Sequence, residues 1–211
     1  MNRLADYQTF LTQFLRNYNT TGSVIPSGRA LGSALCRYVG DQTAPQKILE
    51  AGPGTGAVTS CIIDRLRHDD ELFMVELNPT FASHLRGAFK EKPSFRDAAS
   101  RCHLIEGSVQ QLGREGQFDL VISGLPLNNF SSQDVRDILQ AYGKLLKPGG
   151  ILSFFQYILI RPAKMFVSAG PERTRLKGVG AAIDGVLGER EFAREWVWVN
   201  VPPAWVHHIR F

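Results

Sequence analysis

The sequence predicts an α/β fold: a seven-stranded, mostly parallel sheet with helices on both faces and a reversed C-terminal edge strand. Three observations carry this. From Lys47 onward, short apolar runs of strand character alternate with amphipathic helical stretches. The first of these strands runs into a glycine-rich turn that opens a helix. The chain then closes on two strand-like runs, FAREWVWVNV and WVHHIRF, joined at Pro202-Pro203. So short a joint fits an antiparallel pair, because a parallel return needs a crossover. With 211 residues, 44% of them apolar, the chain is large enough to bury one real core.

The elements follow in order. Leu4, Tyr7, Leu11, Phe14, Leu15 and Tyr18, with Phe10 at the margin, form an apolar stripe at helical spacing over residues 4–18. The turn-rich TTGSVIPSG separates it from a second helix near Arg29 to Val39. Residues 1–40 thus read as an N-terminal helical unit and 41–211 as the α/β domain. In that domain KILEAG is strand one and AVTSCIIDRLR its helix; ELFMVEL is strand two, followed by a helix that Asn78-Pro79 opens. CHLIEGS and FDLVISGL are strands three and four. Ser131 and Asp134 make a capping-box-like start to the next helix, with Val135, Ile138, Leu139, Tyr142 and Leu146 as its buried stripe. KPGG stops it, and ILSFFQY is strand five.

Composition narrows the classes. The most apolar run, Ile151 to Ile160, is half a membrane span and contains Gln156, and the opening residues lack the apolar core of a signal peptide. Cys36, Cys61 and Cys102 lie far apart without metal-ligand spacing, so they read as buried thiols in a reducing cytoplasm, and no metal site is expected. The net charge of +4 is unevenly placed: residues 1–47 and 161–177 are both basic, the latter through Arg161, Lys164, Arg173, Arg175 and Lys177. Such clusters are solvated faces or contacts for an anionic partner.

The decisive stretch is LEAGPGTGAVT, Leu49 to Thr59. A nicotinamide-binding loop reads Gly-x-Gly-x-x-Gly. Here Gly52, Gly54 and Gly56 alternate, Pro53 sits between the first two, and Glu50 precedes them on the strand. A pyrophosphate there would meet a carboxylate. S-adenosylmethionine instead brings an ammonium and a sulfonium, and glycines let the backbone pass close to it. Glu76 ends strand two, 20 residues past Gly56, where an acid accepts ribose hydroxyls. Because ligands sit beyond the carboxyl ends of the strands, Ser108 and Val109 are expected near the adenine, and Ser123 with Gly124 near the sulfonium and the acceptor. The whole pattern fits a seven-stranded Rossmann-like methyltransferase sheet better than a pure dinucleotide fold.

Base-modifying methyltransferases commonly carry Asn or Asp, Pro, Pro and an aromatic residue after strand four; this chain has SGLPLNNF, in which Asn128, Asn129 and Phe130 are the nearest imitation. Taken together, TGSVIPSGRALGSAL, LEAGPGTGAVT, VELNP, SGLPL, the Tyr157 strand and VNVPPAWVHHIRF resemble the bacterial, Rhodobacter-type phospholipid N-methyltransferases. Those enzymes methylate phosphatidylethanolamine, and the ornithine-lipid N-methyltransferases are similar. The resemblance runs from about Tyr7 to the C-terminus. It implies that Glu50, Gly52, Gly54, Gly56 and Glu76 bind the cofactor, that Ser27 approaches it from the N-terminal side, and that Tyr157 faces the substrate. Two departures stand out: Ala51 replaces a larger aliphatic residue, and Glu106-Gly107-Ser108 replaces Gly-Asp-Ala.

The chemistry is consistent with an amine acceptor. Its nitrogen must be neutral to attack a methyl group in line. A primary ammonium has a pKa near ~10.4, so deprotonation at neutral pH costs roughly 4–5 kcal/mol. Burial beside a sulfonium lowers that pKa, and alignment supplies up to roughly 7–11 kcal/mol, so a strong base is not obligatory. Tyr157 is assigned as the residue that orients the amine, whereas His207 and His208 read as structural, with one of the two expected to face solvent. The resemblance also implies a peripheral membrane enzyme that meets an anionic surface through residues 1–20 and the basic segment 161–177, with Arg161, Arg173 and Arg175 as phosphate donors. The competing readings are an RNA adenine-N6 methyltransferase and a non-catalytic, cofactor-binding membrane protein; without an appended basic domain, nucleic acid is not the expected partner.

Overall fold

The computed structural model describes residues 26–158, 170–200 and 202–211. The N-terminal helix predicted over residues 4–18 and the start of the basic segment, Arg161 and Lys164 included, lie outside them. Helix α1 (Pro26–Leu35) leads to strand β1 (Lys47–Ala51), helix α2 (Ala57–Ile63) and strand β2 (Glu71–Glu76). Helices α3 (Pro79–Glu91) and α4 (Pro93–Ala98) precede β3 (Cys102–Glu106) and β4 (Phe118–Ser123). Helix α5 (Ser132–Leu145) runs directly into β5 (Leu146–Tyr157), and α6 (Pro171–Arg190) directly into β6 (Glu191–Val197); β7 (Ala204–Arg210) ends the sheet.

The seven strands lie in the order β3-β2-β1-β4-β5-β7-β6. Strands β1 to β5 pair in parallel, and β7 runs antiparallel to both β5 and β6. The reversed strand therefore lies one place in from the edge, which β6 forms. Strand β5 starts earlier than KPGG implied: Lys147 to Gly150 belong to the strand, and the register against β4 slips between Phe118 and Leu120 to absorb the turn-like residues.

Alternation along the strands sorts the core into two layers. Leu49, Ala51, Val121, Leu152, Phe154 and Ile209 face α5 and α6; Ile48, Leu72, Met74, Ile122, Phe155 and Val206 face α1, α2 and α4. The caps match the sequence. The Ser131 hydroxyl accepts from the Asp134 N–H at 3.1 Å, and the Asn78 side chain accepts from the Thr80 N–H at 2.9 Å with Pro79 at the first helical position.

Helix α6 is the element that the sequence reading lacks. Gly178, Gly180, Gly185 and Gly188 lower its intrinsic helicity, and its first turns are charged. What holds it is a buried stripe of Leu176, Val179, Ile183 and Leu187 packed on the α5 layer, so tertiary burial overrides local propensity.

Candidate functional site

The carboxyl ends of β1, β2 and β4 meet at the glycine loop. Three backbone contacts hold it there: Gly52 N–H donates to the Val75 carbonyl at 2.9 Å, Gly124 N–H to the Ala51 carbonyl at 2.9 Å, and Gly56 N–H to the Pro53 carbonyl at 2.9 Å. Gly52, Gly54 and Gly56 all have positive φ (71°, 56° and 83°), the region that side chains disfavour. At Gly52 space is equally limiting, since a Cβ would stand 2.3 Å from Leu125 Cδ2.

Beside the loop opens a cleft of about 610 Å³, lined by Gly52, Val75, Glu76, Ser108, Val109 and Leu125, with Asp134, Ile138 and Ala141 of α5 on its far wall. Of the predicted site residues, Gly52, Glu76, Ser108 and Val109 are thus brought together on one cavity. Gly54 joins them through its backbone: its N–H donates to Glu76 Oε2 at 3.0 Å, while the Asn78 N–H donates to Oε1 at 2.8 Å. A carboxylate has about four lone-pair sites, so Glu76 keeps acceptor capacity toward the cleft. Burial raises its pKa, and the backbone donors oppose the rise. Gly56 serves as the left-handed N-cap of α2.

Glu50 is fully buried under the loop, on the α2 face of the sheet, and does not line the cleft. Its Oε2 accepts from the Thr59 hydroxyl at 2.7 Å; Oε1 has no hydrogen-bond partner. Burial first, and then the neighbouring charge of Glu76, push its pKa up to about 8, against the opposing bond from Thr59. A buried carboxylate oxygen without a partner is costly and calls for a donor or a cation. The donor set therefore fits a cationic adenosyl ligand: a cleft walled by an acid with acceptor capacity to spare, close backbone, and a buried carboxyl oxygen without a partner beneath.

Other predicted residues stand elsewhere. Ser123 is fully buried, its hydroxyl 2.9 Å from the Tyr142 hydroxyl and accepting from the Leu125 N–H at 3.3 Å. It does not line the cleft, in contrast to the expectation that it stands near the sulfonium and the acceptor. On the face of β4 that it shares with Val121, the Tyr142 hydroxyl takes its side chain. Tyr157 ends β5, 8% exposed, with its ring edge-on to Phe155 at 5.1 Å. The side chain of Ser27 lies outside the described residues.

His207 and His208 are both buried, contrary to the expectation that one would face solvent. Strand β7 packs into the core on both faces, with Ile209 in one layer and Ala204 and Val206 in the other. His208 bonds Ser153 Oγ at 2.8 Å and Glu195 at 3.2 Å, and His207 bonds Glu191 at 2.7 Å. Desolvation lowers both pKa values while those carboxylates oppose the shift. Arg175 is likewise not a free phosphate donor: it pairs with Glu172 at 2.7 Å and donates to the Asn128 and Phe130 carbonyls. The same segment buries Phe130 in the α5–α6 core. Of the thiols, Cys36 is buried while Cys61 and Cys102 are half-buried. Among the described residues no His, Cys, Asp or Glu cluster could hold a metal, and no helix is long and apolar enough to cross a membrane.

Sequence reasoning missed Thr59 and Leu125. A hydroxyl residue nine positions after the strand acid, in the first turns of α2, was the available signal for Thr59. Leu125 gave none, because its role is to fill the space that Gly52 leaves.

Comparison with known proteins bears on this geometry. Residues 48–150 match the family model of a methyltransferase domain. The ornithine lipid N-methyltransferase of Singulisphaera acidiphila is 31% identical over 147 residues, 70% of this chain and 76% of that protein. Two solved structures share the fold at lower identity. The 1,6-didemethyltoxoflavin-N1-methyltransferase of Burkholderia thailandensis, bound to 1,6-didemethyltoxoflavin and S-adenosylhomocysteine, gives a TM-score of 0.63 at 16% identity, over 98% of this chain and 89% of that one. The O-methyltransferase TomG of Streptomyces achromogenes, in complex with SAM, gives 0.64 at 17% identity, over 100% and 90%.

Proposed function

The chain belongs to the class I S-adenosylmethionine-dependent methyltransferases, in the family of the ornithine lipid N-methyltransferase of Singulisphaera acidiphila, and on that footing we propose that it methylates the amine headgroup of a membrane lipid. The observation that carries the reading is the 31% identity to that enzyme over 76% of its length. Ornithine lipid is the first acceptor to test and phosphatidylethanolamine the second.

S-adenosylmethionine supplies an electrophilic methyl group. The chain's own residues supply its placement. Gly52 and Gly54 keep the loop backbone low, Glu76 takes the ribose hydroxyls, and Ser108 with Val109 walls the adenine end. The unpartnered Glu50 oxygen balances the cation at the methionine end. Tyr157, at the carboxyl end of β5, orients the acceptor amine, and Ser27 closes the site from the N-terminal side. Gly124, stitched to Ala51, leaves backbone instead of side chain where the acceptor approaches, since a Cβ there would stand 2.7 Å from the Gly52 carbonyl oxygen. Residues 1–20 and the basic segment 161–177, in which Arg173 and Lys177 are exposed, hold the enzyme at an anionic membrane surface.

Burial of Phe130 favours a lipid amine over a nucleobase, because the one aromatic side chain following β4 in this loop is packed in the core and offers no stacking face. The test is transfer of labelled methyl to vesicles containing ornithine lipid or phosphatidylethanolamine, with Glu76→Ala as control. Label in one lipid, lost in the variant, is the expected result; cofactor binding without label in either lipid contradicts the proposal.

A further inference from the structure

The four large apolar side chains that stand exposed among the described residues fall within eight residues of each other: Phe192 (42%), Trp196 (51%), Trp198 (64%) and Val199 (67%). All three tryptophans of the chain gather there too. Trp196 stacks on Trp198 at 5.0 Å and meets Trp205 across the β6–β7 pair at 4.0 Å, and the Arg194 guanidinium lies 4.4 Å over the Trp205 ring. A ladder of this kind in water is unfavourable, and large exposed apolar patches mark interaction surfaces.

We propose that this edge, Trp196, Trp198 and Val199 with Trp205 behind them, docks the protein on an anionic bilayer surface. Three features select a bilayer. Tryptophan, with an apolar body and a polar N–H, is the side chain that settles at the headgroup level. The carboxylates that would repel an anionic surface are already countered: Glu191 by Arg194 and Glu195 by Arg37. The third feature is direction. Strand β6 runs parallel to β5 through their shared partner β7, so Trp198 and Val199 project from the same end of the sheet as the glycine loop and Tyr157. Docking there turns toward the headgroups the end of the sheet that carries the cleft. This inference rests on the lipid reading above.

The three tryptophans make the protein its own probe. Full-length protein is mixed with vesicles of phosphatidylcholine and phosphatidylglycerol, which carry no primary amine, so docking is read without turnover. The expected result is a blue shift of tryptophan emission, quenching by brominated acyl chains, and at least fivefold weaker flotation for Trp196→Ala/Trp198→Ala and for Val199→Glu. Both variants should keep the wild-type melting temperature and methylate amine lipid dispersed in detergent micelles at the wild-type rate. Vesicle binding with unchanged emission, or equal flotation of the variants, overturns the docking surface. So does wild-type self-association abolished by these substitutions without vesicle binding, which would make the occupant a second copy. Docking without methylation of any lipid would support the surface while overturning the headgroup reading.

Discussion

The Thr59 hydroxyl donates to one carboxylate oxygen of Glu50 at 2.7 Å and leaves the other buried without a partner. The sequence offered Glu50 as a strand-end acid; the fold makes it a buried carboxyl with one oxygen bonded and the other bare. Because its pKa in the folded protein is about 8, against 4.5 in the unfolded chain, the native state binds the proton more tightly. Its contribution to stability is therefore full below pH 4.5 and is lost as pH rises through about 8. Without cofactor, melting temperature should fall from pH 6 to pH 9 in wild type and fall less in Glu50→Gln, the difference amounting to a few kcal/mol at most.

The same carboxyl predicts proton release. A bound sulfonium and ammonium favour the ionised form, so cofactor binding near pH 7 should expel a fraction of a proton. Calorimetry in buffers of different ionisation enthalpy should detect it in wild type and lose it in Glu50→Gln. Equal buffer dependence in both proteins would remove Glu50 from this role.

Glu76 is buried on the cleft wall, already anchored by the Gly54 and Asn78 N–H groups. On the proposed ribose role, replacing it by alanine removes the acceptors for the sugar and frees two backbone donors. At roughly 1.5–3 kcal/mol per charge-assisted bond, cofactor affinity should drop by at least about tenfold to a hundredfold in titration calorimetry.

Gly52→Ala combines a positive φ of 71° with a 2.3 Å approach to Leu125. Overpacking and strain each cost about 1–3 kcal/mol, so the melting temperature should fall by several degrees. Adding Leu125→Ala should recover only part of the loss, since it relieves the contact and not the backbone conformation. Full recovery would show that space alone selects glycine here.

The Ser123–Tyr142 bond separates structure from substrate contact. Tyr142→Phe leaves the buried Ser123 hydroxyl without its side-chain partner and should cost about 1 kcal/mol in denaturant unfolding. Ser123→Ala should do the same while leaving KM for the cofactor within twofold; a large KM change would restore Ser123 to the site.

Strands, order of elements and the glycine loop were legible because each rests on local signals: apolar runs of strand length, Asn78-Pro79, Ser131 with Asp134, and alternating glycines. Helix α6 was not, since its glycines argue against a helix and only long-range burial of Leu176, Val179, Ile183 and Leu187 sustains it. Ser123 shares a face of β4 with Val121, two residues before it, and Val121 lies in the core, which only the packed structure shows. Burial of both histidines depended on core packing against both faces of β7, which local sequence does not decide.

The most direct test of the central claim offers the enzyme both acceptor classes at once. Purified protein, methyl-labelled S-adenosylmethionine, amine-lipid vesicles and ribosomal RNA would share one tube, and the products would be separated by phase. The account predicts label in the lipid phase, on the headgroup nitrogen, and none in Glu76→Ala. Label confined to the RNA would contradict it.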